Sequence, residues 1–199
     1  MDAAPAPEPT AKKLRRIALV LIPALAFLGL LAYGLIKSAP AKVEAGEPIP
    51  DFELPLLGET GTVSAQELRG SPVVINFWAS WCIPCREEAR LLDRIYREYR
   101  DDGVVFLGVN YKDSEIDALD FIDEFGVDYP SVTDVSDEFS RELGVTGVPE
   151  TFFIDAEGRF VGSASGGKQG EQRGIVTLGP VSEESLVTNI EILLRRSAR

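Results

Sequence analysis

Two cysteines are the residues of this 199-residue chain whose types and spacing most clearly predict chemistry. Cys82 and Cys85 are the only cysteines, and they are spaced C-x-x-C within Trp81-Cys82-Ile83-Pro84-Cys85. Two thiols at this spacing can alternate between a dithiol and a disulfide. A zinc site would need two more ligands, and the chain has no third cysteine and no histidine. The pair therefore predicts redox chemistry.

A purely structural disulfide is the main alternative for this pair, because exported proteins often carry one. A bridge that closes so short a loop removes little conformational entropy from the unfolded chain, so it would stabilise the fold weakly. This comparison favours a redox-active pair.

The elements around the cysteines are predicted from hydrophobic periodicity. Val73–Trp78 and Val104–Val109 are nearly continuous apolar runs, typical of strands covered on both faces. Between them, apolar residues recur at helical spacing up to Tyr99, and this order predicts a strand–helix–strand unit. Cys82 is thereby placed at a helix N-terminus, where unpaired N–H groups and the helix dipole favour a thiolate.

This placement predicts different roles for the two thiols. Cys82 is the expected nucleophile that attacks a substrate disulfide. Cys85, one turn further into the helix, is expected to be more shielded and to resolve the mixed disulfide. Glu88 lies three residues beyond Cys85 on the same helical face, where it could transfer protons or could be an ordinary surface carboxylate near the helix N-terminus.

The rest of the chain beyond residue 50 predicts a mixed α/β domain. Two extended runs separated by a short turn predict an antiparallel hairpin, which makes the sheet mixed. The predicted elements are a helix from Ser114 to Gly126, a short helix over Ser136–Leu143, the hairpin of Thr151–Asp155 and Arg159–Ser163, a flexible loop over Gly166–Gly174 and a final helix capped by Ser182.

The N-terminal part has the composition of a membrane anchor. The run from Ile17 to Ile36 carries no charge, and a helix of about 20 residues spans about 30 Å, the hydrocarbon thickness of a bilayer. Cations precede the run, so residues 1–16 are predicted to be a cytoplasmic tail. Residues 17–36 are the predicted transmembrane anchor, residues 37–49 a linker and residues 50–199 the exported domain. A signal peptide cleaved near Ala39-Pro40-Ala41 is the alternative, and it would export the same domain.

Charge and composition exclude some partners. The formal net charge is −12 at pH 7, which argues against nucleic acid as a partner. The absence of histidine removes histidine-activated nucleophiles and most zinc or copper sites. We expect no metal and no cofactor other than the cysteine pair itself.

Val73 to Cys85 resembles the active-site strand and turn of the thioredoxin superfamily, most closely its membrane-tethered TlpA, ResA and CcmG/DsbE branch. Two further stretches, Gly108–Asp113 and Gly144–Asp155, are similar to segments of CcmG/DsbE proteins. The resemblance covers about residues 50–162 together with the anchor. Residues 166–180 have no counterpart in that pattern. The resemblance implies a thioredoxin-like α/β fold with a mixed sheet flanked by helices.

The resemblance also implies roles for particular residues. It implies a cis peptide bond before Pro149, which would face the cysteine pair, and an extended substrate segment bound beside the Val148 backbone. Asn76 replaces the buried aspartate of thioredoxin and cannot accept a proton, so Glu88 and Glu150 become the acidic candidates. The expected substrate-binding residues are Trp81, Ile83, Pro84, Val148 and Pro149.

The function implied is that of an exported protein-disulfide reductase, with apocytochrome c as the expected substrate before haem attachment. The domain would face the periplasm or extracytoplasmic space from a single-pass anchor in the inner membrane. That space is kept oxidising, so the reductase would need electrons from a DsbD- or CcdA-like membrane protein. Alternatives are a general TlpA/ResA-like reductase with other clients, a peroxiredoxin, and a Sco-like metal chaperone, which the lack of histidine disfavours.

Overall fold

The computed structural model describes residues 19, 21–31, 43–162, 171–173 and 176–198, with the backbone alone described at 171–173. The chain divides into two units, Met1–Ala39 and Pro40–Arg199, and the second contains every element labelled below. In the first unit, residues 21–31 are helical and exposed. Within the described ranges, no helix is both long and apolar enough to cross a membrane. The predicted tail, both ends of the predicted anchor and residues 37–42 of the linker lie outside those ranges.

The second unit alternates strands and helices. Its strands are β1 (Glu53–Pro55), β2 (Thr62–Ser64), β3 (Val73–Trp78), β4 (Val105–Asn110), β5 (Ser131–Thr133), β6 (Glu150–Ile154), β7 (Glu171–Arg173) and β8 (Val176–Leu178). Its helices are α1 (Ile83–Tyr99), α2 (Glu115–Phe125), α3 (Glu138–Glu142) and α4 (Glu183–Ser197), and a 3₁₀ turn (Arg100–Asp102) follows α1.

The main sheet has the strand order β5-β4-β3-β6-β8-β7. Strands β3, β4 and β5 are parallel, whereas β6 is antiparallel to β3, and β8 is antiparallel to both β6 and β7. The predicted mixed sheet is therefore confirmed. Strand β3 is central and all six of its residues are buried, as its nearly continuous apolar sequence predicts.

Helices cover the sheet because successive side chains of β3 point to opposite faces. Val74 belongs to the core formed with α1, α2 and α4, whereas Ile75 and Phe77 belong to the core that includes Phe139 of α3. Asn76 follows the same alternation and points to the α1 side, where it contacts that helix. Strand β3 thus places a polar side chain in the core next to α1, the helix that begins at the cysteine pair.

Local signals place the helix ends correctly. The Ser114 hydroxyl accepts a hydrogen bond from the N–H of Asp117, as an N-cap does, and α2 ends at Gly126, whose φ of 65° lies in the left-handed region. The Ser182 hydroxyl caps α4 in the same way. The short helix predicted over Ser136–Leu143 is present as α3, but it is shorter and spans Glu138–Glu142.

The predicted hairpin is only partly correct. The turn after β6 is present, and Ile154 bridges Phe160, but no strand is formed by the described part of Arg159–Ser163. Around this bridge, the N–H of Val161 donates to the carbonyl of Phe153, and the N–H of Asp155 donates to the carbonyl of Arg159. The described part of the second arm therefore pairs with the end of β6 only briefly, whereas β8 pairs with residues 150–152 of β6.

The prediction of a flexible loop over Gly166–Gly174 is also partly wrong. Residues 171–173 form β7, which pairs with β8, whereas residues 163–170, 174 and 175 lie outside the described ranges. The missed signal is Val176-Thr177-Leu178, a short run with strand propensity directly after the glycine-rich stretch. Because β8 joins β6, this segment belongs to the sheet that carries the cysteine loop.

Candidate active site

The cysteine pair lies where the central strand passes into helix α1. Cys82 is the N-cap of α1, and its Sγ accepts a hydrogen bond from the N–H of Cys85 at 3.1 Å. Pro84 lies in the first turn, where its missing N–H removes no helical hydrogen bond. Cys82 and Cys85 form a disulfide with a Cα–Cα distance of 5.3 Å. The predicted position of Cys82 at a helix N-terminus is confirmed.

Both cysteines are shielded in this oxidised form. Cys85 is 1% exposed and Cys82 is 3% exposed, so the predicted order of shielding is present although the difference is small. The flanking side chains differ sharply, since Trp81 is 57% exposed and Ile83 is 70% exposed. A substrate segment that reaches Cys82 therefore first meets two large apolar side chains.

Asp113 holds the loop that leads to Cys82, and sequence reasoning missed this residue. Its carboxylate accepts hydrogen bonds from the N–H of Ser80 at 2.6 Å and from the Ser80 hydroxyl at 2.8 Å. Beside it, the indole Nε1–H of Trp81 donates to the carbonyl of Lys112 at 3.0 Å. The loop after β4 thus fixes both residues that precede Cys82. The signals in the sequence were the position of Asp113 next to the N-cap Ser114 and its place at the end of Gly108–Asp113, a stretch similar to CcmG/DsbE proteins.

Pro149 lies at the same end of the sheet as the cysteine loop. The Val148–Pro149 bond is cis, which confirms that prediction, and Pro149 immediately precedes β6. Phe77 near the end of β3 pairs with Glu150, so the start of β6 lies beside the end of the strand that leads to Cys82. The carbonyl of Pro149 accepts a hydrogen bond from the N–H of Gly179 at 2.9 Å.

Glu88 is buried, so the alternative of an ordinary surface carboxylate is wrong. It is 3% exposed, and its Oε1 accepts a hydrogen bond from Asn76 Nδ2 at 2.9 Å. Its Oε2 accepts a hydrogen bond from the N–H of Val181 at 2.7 Å. Burial raises the pKa of Glu88 to about 7, although both hydrogen bonds favour the charged form and act in the opposite direction. This carboxyl can gain or lose a proton near neutral pH.

Asn76 does more than replace an acid. Its Nδ2 donates to Glu88 Oε1 and also to Thr151 Oγ1 at 3.0 Å, so one amide group links β3, α1 and β6. The acidic group of the site is therefore on the helix, and the strand supplies a hydrogen-bond donor to it.

Glu150 is also buried, at 3% exposed, but its surroundings are different. Its Oε1 accepts hydrogen bonds from the N–H of Thr146 at 2.9 Å, from the Thr146 hydroxyl at 2.8 Å and from the N–H of Gly147 at 3.0 Å. These bonds shape the turn that leads to Val148 and Pro149. The two predicted acids thus lie on different elements: Glu88 is on α1 and faces Asn76 of β3, whereas Glu150 begins β6 and holds the turn before Pro149.

The part of the chain that the structure describes contains no group of three or more cysteine, aspartate or glutamate residues placed to hold a metal ion. The disulfide at the N-terminus of α1, with a buried carboxyl one turn away, supports thiol–disulfide exchange.

Comparisons with known proteins agree with this chemistry. A model of the AhpC/TSA family matches residues 45–161, which contain both cysteines, Glu88 and Pro149. The chain is 34% identical over 184 residues to the thiol:disulfide interchange protein DsbE of Vibrio cholerae, an alignment that covers 84% of this chain and 95% of that relative. It is 33% identical over 151 residues to the thiol-disulfide oxidoreductase ResA of Geobacillus thermodenitrificans, covering 74% of this chain and 86% of that one.

The fold is also shared with solved structures. A crystal structure of a DsbE-type thiol:disulfide interchange protein from Chlorobium tepidum superposes with a TM-score of 0.66 at 28% identity. The superposition covers 77% of this chain and 99% of that one.

Proposed function

Because this chain belongs to the AhpC/TSA family, as a thiol:disulfide oxidoreductase of the DsbE and ResA type, we propose that it reduces disulfide bonds of other proteins outside the cytoplasm. The observation that carries the proposal is the Cys82–Cys85 disulfide at the N-terminus of α1, beside a buried carboxyl with a pKa of about 7. The named relatives are thiol:disulfide interchange proteins and oxidoreductases, which supports the exchange chemistry rather than the peroxiredoxin alternative.

The reaction follows from the positions of the two sulfurs. The Cys82 thiolate attacks one sulfur of a substrate disulfide, a Cys82–substrate bond forms, and the second substrate sulfur leaves as a thiolate that takes up a proton. Cys85 then loses its proton and attacks Cys82 Sγ, which releases the first substrate sulfur as a thiol. The substrate gains two electrons and two protons, and the protein is left with the disulfide seen in the structure.

Within this reaction, we assign Glu88 to proton exchange with Cys85, the thiol one helical turn before it. We also assign Glu150 a role in the reaction, as the second acidic residue of the site. It would act through the turn that it holds before Pro149. The proposed substrate-binding residues are those that surround the cysteine pair or precede β6: Trp81, Ile83, Pro84, Val148 and Pro149.

The proposed substrate is apocytochrome c, because the relatives include DsbE proteins. A ResA-like reductase with other clients is the competing assignment, and the similarity to both groups is of the same order. In either case the oxidised pair must be reduced again, and we propose a DsbD- or CcdA-like membrane protein as the electron donor.

Trapping of mixed disulfides distinguishes apocytochrome c from the other clients of a ResA-like reductase. With Cys85→Ser, the mixed disulfide on Cys82 has no internal thiol to resolve it and should accumulate. We expect covalent adducts on this variant in its native membrane, with apocytochrome c among the proteins identified by mass spectrometry. Cys82→Ser/Cys85→Ser is the matched control and should trap nothing. Adducts that lack apocytochrome c and contain other exported proteins would contradict the assignment to cytochrome c maturation.

We further propose that residues 1–16 form a cytoplasmic tail, 17–36 a single-pass inner-membrane anchor, 37–49 a linker and 50–199 the exported thioredoxin-like domain. The uncharged run from Ile17 to Ile36 and the cations before it support this arrangement. The anchor would raise the effective concentration of the domain near its electron donor.

Removal of the anchor tests this arrangement. A variant without residues 1–42, exported by a cleavable signal peptide, should reduce small disulfides at the rate of the full chain. It should complement a deletion strain poorly, because the donor is no longer held nearby. An unrelated transmembrane helix fused to residue 43 should restore complementation. Full complementation by the untethered domain would refute a role for the anchor.

A further inference from the structure

The segment between β8 and α4 contacts two parts of the active site by its backbone. The N–H of Gly179 donates to the carbonyl of Pro149, and two residues later the N–H of Val181 donates to Glu88 Oε2 at 2.7 Å. This segment begins at Gly179, within the stretch of residues 166–180 for which the sequence resemblance offers no counterpart. Its backbone therefore joins the proline turn and the buried carboxyl, which lie on different elements of the fold.

The position of this N–H is fixed from both sides. Before it, Leu178 of β8 pairs with Glu150 of β6, which sets the register of the segment against the sheet. After it, Ser182 caps α4, a helix whose apolar face is buried against α1. The side chain of Val181 is itself 3% exposed in that core. An N–H held in this way can orient a carboxylate with little reorganisation of the backbone.

The two oxygens of Glu88 have separate donors. Oε1 is paired with the Asn76 side chain and Oε2 with the Val181 backbone, so the plane of the carboxyl is set by contacts from two directions. A buried carboxylate oxygen without its donor would lose a charge-assisted hydrogen bond and would also be left unsatisfied. The Val181 contact is therefore strong enough to influence both the orientation and the charge state of Glu88.

We propose that the backbone N–H of Val181 is a positioning group for the active-site acid, holding the Glu88 carboxyl one helical turn from Cys85. This inference rests on the proposed role of Glu88, which it extends to the segment after β8. Val181 acts through Glu88 and does not itself contact the sulfurs in the reaction.

The charge state of Glu88 can be followed without interference in the oxidised protein. Neither cysteine carries a thiol there, and Asn76 and Val181 do not titrate. Tyr129, just before β5, interacts with Glu88 through its charge, but burial and the charges of Glu88 and Asp93 raise the pKa of Tyr129 above its ordinary value. Glu150 of β6 is a separate carboxyl of the site, and its NMR signal can be assigned with a Gln variant.

The experiment compares Val181→Pro, which removes the N–H, with Val181→Ala, which keeps it and shortens the side chain. The pH titration of the Glu88 side-chain carboxyl is followed by ¹³C NMR in the oxidised full-length protein. Loss of a donor to the charged form should raise the midpoint by about one pH unit in Val181→Pro, whereas Val181→Ala should stay within about 0.3 unit of the parent. In the reduced protein, the alkylation profile of Cys85 should shift in the same direction.

A second variant keeps the test valid if proline disrupts the fold. Replacing the amide of residue 181 by an ester removes the N–H and keeps the valine side chain, and it should give the same rise. An unchanged midpoint in a folded ester variant would overturn the positioning role. If the midpoint rises but Glu88→Gln reduces disulfides at the parental rate, the positioning stands and the proposed role of Glu88 in the reaction fails.

Discussion

Cys82→Ser is expected to lower the rate of protein-disulfide reduction by about three orders of magnitude or more, because a serine hydroxyl at this N-cap cannot replace a thiolate. Cys85 does not substitute for it, since it lies in the first turn of α1 and is 1% exposed. The measurement is single-turnover reduction of a disulfide-bonded protein, with the reductase pre-reduced and then freed of reductant.

Cys85→Ser is the matched control for this prediction. It keeps the attacking thiol, so it should form a mixed disulfide at nearly the parental rate and then stop. Circular dichroism spectra of the reduced parent and both variants should agree, because the buried volume changes little. Substantial reduction by Cys82→Ser would show that Cys85 can attack a substrate and would reverse the assigned roles of the two thiols.

Glu88→Gln is expected to slow the second step of the reaction about 100-fold and to flatten its pH dependence near neutrality. A positioned general acid or base typically contributes about 10² to 10⁴ in rate, and burial gives this carboxyl a pKa of about 7. The measurement is the release of the substrate thiol from a preformed mixed disulfide, followed between pH 5 and 9. The same profile in parent and variant would exclude Glu88 from proton transfer.

Glu150→Gln provides the comparison for that result. The Glu150 carboxylate accepts two backbone N–H groups and a hydroxyl in the turn before Pro149, so its loss should act mainly on that turn. We expect weaker substrate binding with the inflection near pH 7 retained. A lost inflection in Glu150→Gln together with a retained one in Glu88→Gln would exchange the roles of the two acids.

The same carboxyl makes folding stability depend on pH. The pKa of Glu88 is raised from 4.5 to about 7, so the folded chain binds its proton more tightly than the unfolded chain does. This contribution to the free energy of unfolding is complete below about pH 4.5 and is lost as the pH rises through 7; for a shift of this size it is on the order of 3 kcal/mol. The free energy of unfolding, measured with urea on the oxidised proteins, should therefore fall more steeply between pH 5 and 8 in the parent than in Glu88→Gln.

The parts of the site that sequence reasoning predicted correctly depend on local signals. Strand β3 is a nearly continuous apolar run, α1 has helical periodicity, and Ser114 and Gly126 mark the ends of α2. The cis bond before Pro149 was implied by the similarity of its surrounding residues to a known family. Each of these features is encoded within a few neighbouring residues, so no knowledge of the tertiary structure was needed.

The parts that were missed depend on contacts between distant segments. The position of Glu88 near the start of a helix could not show whether it was exposed, because its buried carboxyl contacts Asn76 of β3 and the backbone of Val181, both distant along the chain. Asp113 and Val181 contact the site from loops that are distant along the chain from the residues they contact, Ser80 and Glu88. The described part of the second hairpin arm forms an isolated bridge to the end of β6, and the start of β6 pairs with β8, which lies far from it along the chain.

The strand order of the sheet has a consequence for how the protein is made. A ribosome produces the cysteine pair well before β8 and Val181, yet β8 lies next to β6 in the finished sheet. The thiols of a nascent chain therefore exist for a time without the backbone donor that faces the acid beside them. Full control over these sulfurs begins only when the last quarter of the polypeptide has been synthesised and folded into place.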